Sequence, residues 1–107
     1  MTEQTYNGWT NYETWNVNLW LTNDSGGYEY WMEQAAEHFH GADGEDSADS
    51  AEIAKNTLAD QLEDEHSEAR PEVSGVFADL LGAALSEVNW REIAEHLVTD
   101  SLEAIES

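Results

Sequence analysis

The sequence contains no cysteine, and its only basic residues are Lys55, Arg70 and Arg91, against 24 acidic residues. The lack of cysteine excludes disulfides, thiolate metal sites and thiol nucleophiles. The formal charge is −21, and the sequence pI is near 4.1. A basic surface for the phosphates of nucleic acid or for anionic membranes is therefore excluded. We expect no direct binding of nucleic acid and no binding to membranes.

Long apolar runs are also missing. No stretch approaches the roughly 18 apolar residues of a membrane span. Residues 1–8 lack the basic and apolar regions of a signal peptide. We expect a soluble protein of the cytoplasm, which would be the host cytoplasm if a phage encodes the chain. Strong net charge is typical of disordered chains, but 40% of the residues are hydrophobic, including five Trp, so a small core is expected.

Hydrophobic periodicity predicts an all-α fold, a single compact domain of about five short helices over residues 1–107. Residues 1–8 are predicted to be a tail, and residues 41–49 an acidic loop. A capping box at Thr10–Glu13 is predicted to open the first helix. The spacing of Tyr12, Trp15, Leu19 and Trp20 assigns these side chains to its buried face, which Val17 and Leu21 widen. Trp9 or Tyr12 is the alternative aromatic anchor for a partner.

Breaking residues divide the rest of the chain. Asn23–Gly27 is predicted to be a break before a second helix, which starts near Tyr28 and is capped by Gly41. A third helix with a thin apolar stripe is predicted from a cap at Asp49 or Ser50 to about Glu68. Its other faces are polar and largely acidic.

The segment from Val73 to Val88 is the most apolar of the sequence. It is predicted to be the central helix, with Pro71 in its first turn. A second capping box at Asn89–Glu92, with Val88 and Ile93 as a hydrophobic staple, is predicted to open a final helix that runs through Ile105. No segment alternates for long enough to predict a strand.

The familiar signatures of catalysis and metal binding are absent. Gly26-Gly27 lacks the Lys-Ser/Thr of a phosphate loop, and residues 43–49 resemble a calcium loop only superficially, because Ala54 stands where the bidentate glutamate belongs. The four histidines, at 38, 40, 66 and 96, lack the spacing of zinc ligands. We expect no enzyme activity, no cofactor and no dedicated metal site.

The negative charge is concentrated in the middle of the chain. Four of these acids, Asp60, Glu63, Asp64 and Glu68, form a ladder on one helix. Like charges at this spacing weaken an isolated helix by about 0.2–0.5 kcal/mol per pair, so their retention suggests a use. The candidate partner-binding residues are Asp43, Glu45, Asp46, Asp49, Glu52, Asp60, Glu63, Asp64, Glu65, Glu68 and Glu72.

This clustering favours a non-enzymatic DNA mimic, which occupies a basic nucleic-acid-binding surface of another protein complex. The alternative is an acidic helical interaction domain, adapted to high salt, without a nucleic-acid-processing partner. A single lysine in 107 residues fits that alternative, whereas the many tryptophans and the clustering of charge favour mimicry. A homodimer that extends the acidic surface stays open.

Two segments carry a family resemblance. Residues 9–21, WTNYETWNVNLWL, and residues 88–96, VNWREIAEH, resemble segments of small uncharacterised proteins of phages, plasmids and other mobile elements. The resemblance implies a setting in which inhibitors of host defence are common. It implies no catalytic residue. Combined with the acidic patch, it favours inhibition of a CRISPR effector complex, with a restriction enzyme as the second target class.

Overall fold

The computed structural model describes residues 6–106 and contains five α-helices. They are α1 (Tyr12–Asn23), α2 (Ser25–Gly41), α3 (Ser47–Ala69), α4 (Val76–Ser86) and α5 (Trp90–Glu106). The described part of the chain has no β-sheet, and the predicted all-α fold of about five helices is confirmed. Within residues 6–106, no helix is long and apolar enough to cross a membrane.

The core lies where α5 packs against α3 and α2. The staple residues Val88 and Ile93 are both buried, as predicted. Helix α1 packs against the edge formed by α2 and α5. The buried apolar side chains are those of Leu21, Trp31, Ala35, Ala54, Leu58, Leu62, Val88, Trp90, Ile93, Ala94, Leu97 and Val98.

The predicted tail and the first cap differ from the structure. Residues 1–5 lie outside the described part, but Tyr6 and Trp9 exchange two backbone hydrogen bonds of 2.8 Å. Asn7 and Gly8 between them have φ of 50° and 88°, which is typical of a type I′ turn. The N-cap of α1 is Asn11, whose side chain accepts from the Thr14 N–H, so the predicted cap at Thr10 is wrong by one residue.

The predicted buried face of α1 is correct only in part. Leu21 is buried and Val17 packs against the core, but Tyr12 is 51% and Trp20 is 72% exposed. The other buried residue of α1 is Thr14. Tyr6, Tyr12 and Trp15 instead pack their rings against one another, with centroids 4.8–5.5 Å apart. Sequence periodicity identifies a face without saying which way it points, so the spacing alone does not distinguish a core stripe from this aromatic cluster.

The boundaries of α2 and α3 also differ from the prediction. Helix α2 begins at Ser25, so Gly26 and Gly27 are helical and the predicted break shrinks to Asp24. Helix α3 begins at Ser47 because Asp46, not Asp49 or Ser50, accepts from the Asp49 N–H at 2.8 Å. The acidic loop therefore ends three residues earlier than predicted, and Asp49 lies in the first turn of α3.

The predicted central helix lies at the periphery. None of the residues of α4 is buried, and α4 makes no extensive contact with any other described helix. Pro71 does not start this helix, since residues 71–74 are not helical and α4 begins at Val76. The Cα radius of gyration is 14.9 Å, larger than the roughly 13 Å of a compact chain of this length.

Candidate functional site: an acidic face over a polar seam

Polar side chains join α2 to α3 along a line that we call the polar seam: Tyr30, Gln34, His38, Thr57, Gln61 and Glu65. The Tyr30 hydroxyl donates to Glu65 Oε2 at 2.8 Å. Gln61 Nε2 donates to Gln34 Oε1 at 2.9 Å. Thr57 Oγ1 lies 2.9 Å from His38 Nδ1. Residue numbers rise along α2 as they fall along α3, so the two helices are antiparallel.

Gln61 is the centre of the polar seam. Its Nε2 also lies 2.7 Å from Glu65 Oε2, and its Oε1 lies 2.6 Å from His38 Nε2. Because the amide nitrogen donates to Gln34 and Glu65, the amide oxygen is left to accept from His38 Nε2–H. The network thus favours the Nε2-protonated tautomer of His38 and fixes the register of the two helices.

The carboxylate of Glu65 perturbs its tyrosine partner. Its hydrogen bond with the hydroxyl raises the pKa of Tyr30 above the ordinary value, and the nearby charge of Glu37 acts in the same direction. A raised tyrosine pKa means that the folded state holds the proton more tightly. This contribution to stability is present below the ordinary tyrosine pKa and is lost as pH rises through the raised one.

Two rows of carboxylates flank the polar seam. On α2 they are Glu29, Glu33 and Glu37, each one residue before a member of the seam, and all are exposed. On α3, Asp60 and Asp64 likewise precede Gln61 and Glu65. We define the acidic face as Glu29, Glu33, Glu37, Asp60, Glu63, Asp64, Glu65 and Glu68, of which Glu65 is half-buried and the others are exposed.

The charge density of the acidic face is close to that of a nucleic acid. The register of the polar seam places its eight carboxylates along about 15 Å of shared helix axis, at 1.5 Å per residue. This is about one charge per 1.9 Å, against about one per 1.7 Å of duplex DNA. Packed helix axes lie about 8–10 Å apart, so the charges form two parallel rows.

The structure places only some of the candidate partner-binding residues predicted from the sequence on the acidic face. Asp60, Glu63, Asp64, Glu65 and Glu68 come together on the acidic face. Asp43, Glu45, Asp46 and Asp49 are exposed around the start of α3, where even Asp49, the nearest of them, lies about 17 Å along the helix axis from Asp60. Asp46 and Asp49 are partly used locally, since Asp49 Oδ2 accepts from the Glu45 N–H at 3.1 Å. Glu72 lies beyond α3, in the exposed segment before α4.

Glu52 does not belong to a free polyanion. Its carboxylate binds Lys55 Nζ at 3.1 Å and Arg91 at 2.8 Å. The hydrogen bond from Lys55, followed by that from Arg91, lowers the pKa of Glu52. Lys55 and Arg91 thus lie beside Glu52, on the α5 side of α3, and no salt bridge within residues 6–106 involves the acidic face.

The sequence prediction missed the α2 row. Glu29, Glu33 and Glu37 recur at four-residue spacing, which is the same signal that identified the α3 ladder. Charge density along the chain does not reveal them, because they lie outside the acidic middle of the sequence. Residues from two antiparallel helices can share a face although some thirty positions separate them in sequence.

The histidines occupy three different places: His38 and His40 lie in the last turn of α2, His66 on α3 and His96 on α5. His38 is in the polar seam, and the exposed His96 packs on Trp9 with ring centroids 4.3 Å apart. His66 lies between Trp31 and Trp90, at centroid distances of 6.0 and 5.1 Å. Within the part of the chain that the structure describes, no group of three or more histidine, aspartate or glutamate side chains is placed to hold a metal ion.

The two segments with distinctive motifs meet in what we call the cap joint, formed by Thr10, Asn11, Thr14, Asn89 and Glu92. Thr10 N–H donates to Glu92 Oε1 at 3.0 Å, and Asn89 N–H donates to Thr14 Oγ1 at 2.8 Å. Glu92 N–H donates to Asn89 Oδ1 at 3.0 Å, which is one half of the predicted second capping box. In the other half of a capping box the Glu92 side chain would accept from Asn89 N–H. Here Glu92 accepts from Thr10 and Asn89 donates to Thr14, so α1 and α5 cap each other.

The fold and site define a small helical domain that displays a dense carboxylate surface. The chain belongs to a protein family of unknown function (DUF7249), which it matches over residues 2–106. No curated protein and no solved structure matches the chain.

Proposed function

We propose that the protein is a non-enzymatic DNA mimic, whose acidic face occupies the basic nucleic-acid-binding surface of a host defence complex. The preferred target is a CRISPR effector complex, and a restriction enzyme is the second. The observation that carries this proposal is the pair of carboxylate rows on α2 and α3, at a charge density close to that of duplex DNA. The resemblance of the two motif segments to mobile-element proteins supports the setting.

The mechanism follows from electrostatics. A groove that binds nucleic acid carries arginine and lysine side chains, which release counterions when they meet phosphates. The acidic face offers the same groove a rigid set of charges, because the polar seam fixes the register of the two rows. Association is accelerated by attraction over long range, and the occupied groove is closed to nucleic acid.

The test replaces four carboxylates of the acidic face by their amides, as Asp60→Asn, Glu63→Gln, Asp64→Asn and Glu68→Gln. Affinity capture from a host lysate should recover a complex with the wild-type chain, and duplex DNA should displace that complex. The fourfold variant should lose capture and inhibition. Its fold should stay intact or become slightly more stable, by about 0.2–0.5 kcal/mol per like-charge pair removed.

A charge-matched control separates the position of the charges from their number. The variant with Asp24→Asn, Asp79→Asn, Asp100→Asn and Glu103→Gln loses the same four charges from exposed positions outside the acidic face. It should bind and inhibit like the wild type. Equal inhibition by the acidic-face variant, or equal loss in both variants, would contradict mimicry through this face.

Salt distinguishes the proposal from adaptation to high salt. Binding of the acidic face to a basic groove should weaken by about tenfold or more between roughly 50 and 200 mM NaCl, because counterion release is lost. The fold should persist in low salt, as measured by circular dichroism. Unfolding in low salt that molar salt reverses would instead favour a haloadapted domain.

A further inference from the structure

Helix α4 presents an apolar stripe to the solvent. The side chains of Val76, Phe77 and Leu80 are 62%, 66% and 62% exposed, and that of Val73 is 43% exposed. Within α4, positions 76, 77, 80, 83 and 84 recur at the spacing of a buried helix face, and Val73 precedes them in the non-helical segment before the helix. The opposite side, with Ala78, Leu81 and Leu85, is only half-buried. The most apolar face of α4 thus points away from the protein.

Such a helix needs a partner. Isolated helices shorter than about 12–15 residues are marginal in water, and α4 has 11 residues. Its only acid is Asp79, and it has no base, so α4 and α1 are the two least charged helices of a chain with a net charge of −21. Exposed apolar patches of this kind mark sites of association.

The stripe is complementary to itself. In an antiparallel pair of α4 helices centred on Leu80, Phe77 of one copy lies opposite Ala83 of the other, and Val76 lies opposite Ala84. Large side chains thus meet small ones on both sides of the two-fold axis, as the packing of ridges into grooves requires. An isologous contact of this kind closes after two copies.

The two ends of the stripe differ in charge: the first carries Arg70 between Glu68 and Glu72, all exposed, and the second carries the exposed Glu87. Arg70 makes no salt bridge within the described residues. Antiparallel pairing sets the Arg70 end of each copy against the Glu87 end of the other. We therefore propose that α4 is the interface of a symmetric homodimer of this chain.

The size of the apolar stripe determines how tightly the proposed dimer is expected to associate. Two such faces bury on the order of 1,000 Å² in total, near the lower limit for a specific interface, so we expect a dissociation constant in the micromolar range. Each copy repels the other through its net charge. The dimer should therefore tighten as salt screens that repulsion, whereas binding of the acidic face to a basic groove should weaken.

Sedimentation equilibrium of the full chain tests the interface at about 10–500 μM protein and at roughly 50 and 500 mM NaCl. We expect a monomer–dimer equilibrium that shifts toward dimer in the higher salt. Phe77→Glu should weaken it by about tenfold or more, because it places a charge opposite Ala83. Trp20→Glu on α1 alters a side chain of similar exposure, 72%, and should leave association unchanged.

Cysteine cross-linking supplies an independent readout, since the chain has no native cysteine. Leu80→Cys places one thiol beside its symmetry mate at the proposed two-fold axis, within the reach of a disulfide, about 4.4–6.8 Å between Cα atoms. Oxidation should yield a covalent dimer. Ser86→Cys, which is exposed on a different side of α4, should not cross-link.

Three results would overturn the dimer. The wild type could remain monomeric throughout these concentrations and salts, which would assign the stripe to a different protein. Association could weaken in higher salt, or respond to Trp20→Glu and not to Phe77→Glu. Finally, Ser86→Cys could cross-link as well as Leu80→Cys. Circular dichroism of each variant confirms that it is folded, and none of these results bears on the acidic face.

Discussion

Helices α3 and α4 lie in the opposite positions from those that their compositions predict: the acidic α3 contributes to the core, and the apolar α4 lies at the periphery. Helix α3 contains seven acidic residues in 23, yet Ala54, Leu58 and Leu62 are fully buried against α5 and α2. Helix α4 has one acid in 11 residues and buries none of them. Average hydropathy therefore does not decide which helix is central.

A helix is central when its apolar stripe has a partner stripe of matching length. The stripe of α3 is narrow, but it runs through three turns and meets the apolar face of α5 along that length. The face of α4 is wider and has no such partner within the described chain. Its position is set at its end, where Asn11 Nδ2 donates to the Glu87 carbonyl at 2.6 Å.

The largest expected effect tests this contrast directly. Leu62→Ala on α3 should lower the free energy of unfolding by about 2–5 kcal/mol, because it leaves a cavity in the core. The matched change Leu80→Ala on α4 removes the same atoms from a side chain that is 62% exposed, and should cost less than about 0.5 kcal/mol. Urea denaturation at low protein concentration measures both. Equal losses would mean that α4 shares the core.

Much of the fold could be predicted from the sequence because it depends on local signals. The number of helices, the break at Pro71, the end of α3 and the staple of α5 all follow from periodicity and capping chemistry. The direction of a face cannot be read in this way. The apolar faces of α1 and α4 look like core stripes, and only their neighbours in space show that Tyr12, Trp20 and most of the α4 stripe are exposed.

The candidate site was predicted in part for the same reason. The ladder from Asp60 to Glu68 was found, because residues on one helix share a face through local spacing alone. The row of Glu29, Glu33 and Glu37 joins it only through the polar seam, and the pairing of Tyr30 with Glu65 depends on the packing of α2 on α3. The neutralisation of Glu52 likewise depends on Arg91, which is 39 residues away.

The second prediction concerns the cap joint, which holds the chain after α4 by polar contacts instead of apolar ones. Thr14 is fully buried, and its hydroxyl accepts from Asn89 N–H and donates to Asn11 Oδ1 at 2.6 Å. Thr14→Val keeps the shape of the side chain but leaves the Asn89 donor unpaired. It should lower the free energy of unfolding by about 1–3 kcal/mol.

Thr22→Val is the control for this change. The Thr22 hydroxyl bonds only to carbonyls of its own helix and is exposed, so its loss should cost less than about 0.5 kcal/mol. If Thr14→Val and Thr22→Val have the same small effect in urea denaturation, the cap joint does not hold α1 to α5, and α4 must be positioned by contacts of its own.

The smallest expected effect is an increase in stability, and it tests how α4 is packed. Gly82 lies inside α4, and a Cβ added there would meet no atom within 4 Å. Gly82→Ala should therefore stabilise α4 by about 0.5–1 kcal/mol, through the helix propensity of alanine. Because α4 is weakly packed, slower amide exchange in residues 76–86 measures this gain better than global unfolding does.

Gly44→Ala is the contrasting control, since its Cβ would press against the backbone nitrogen of Ser50 and should destabilise the start of α3. Destabilisation by Gly82→Ala would mean that α4 is closely packed on its inner side, and the contrast between the two helices would then fail.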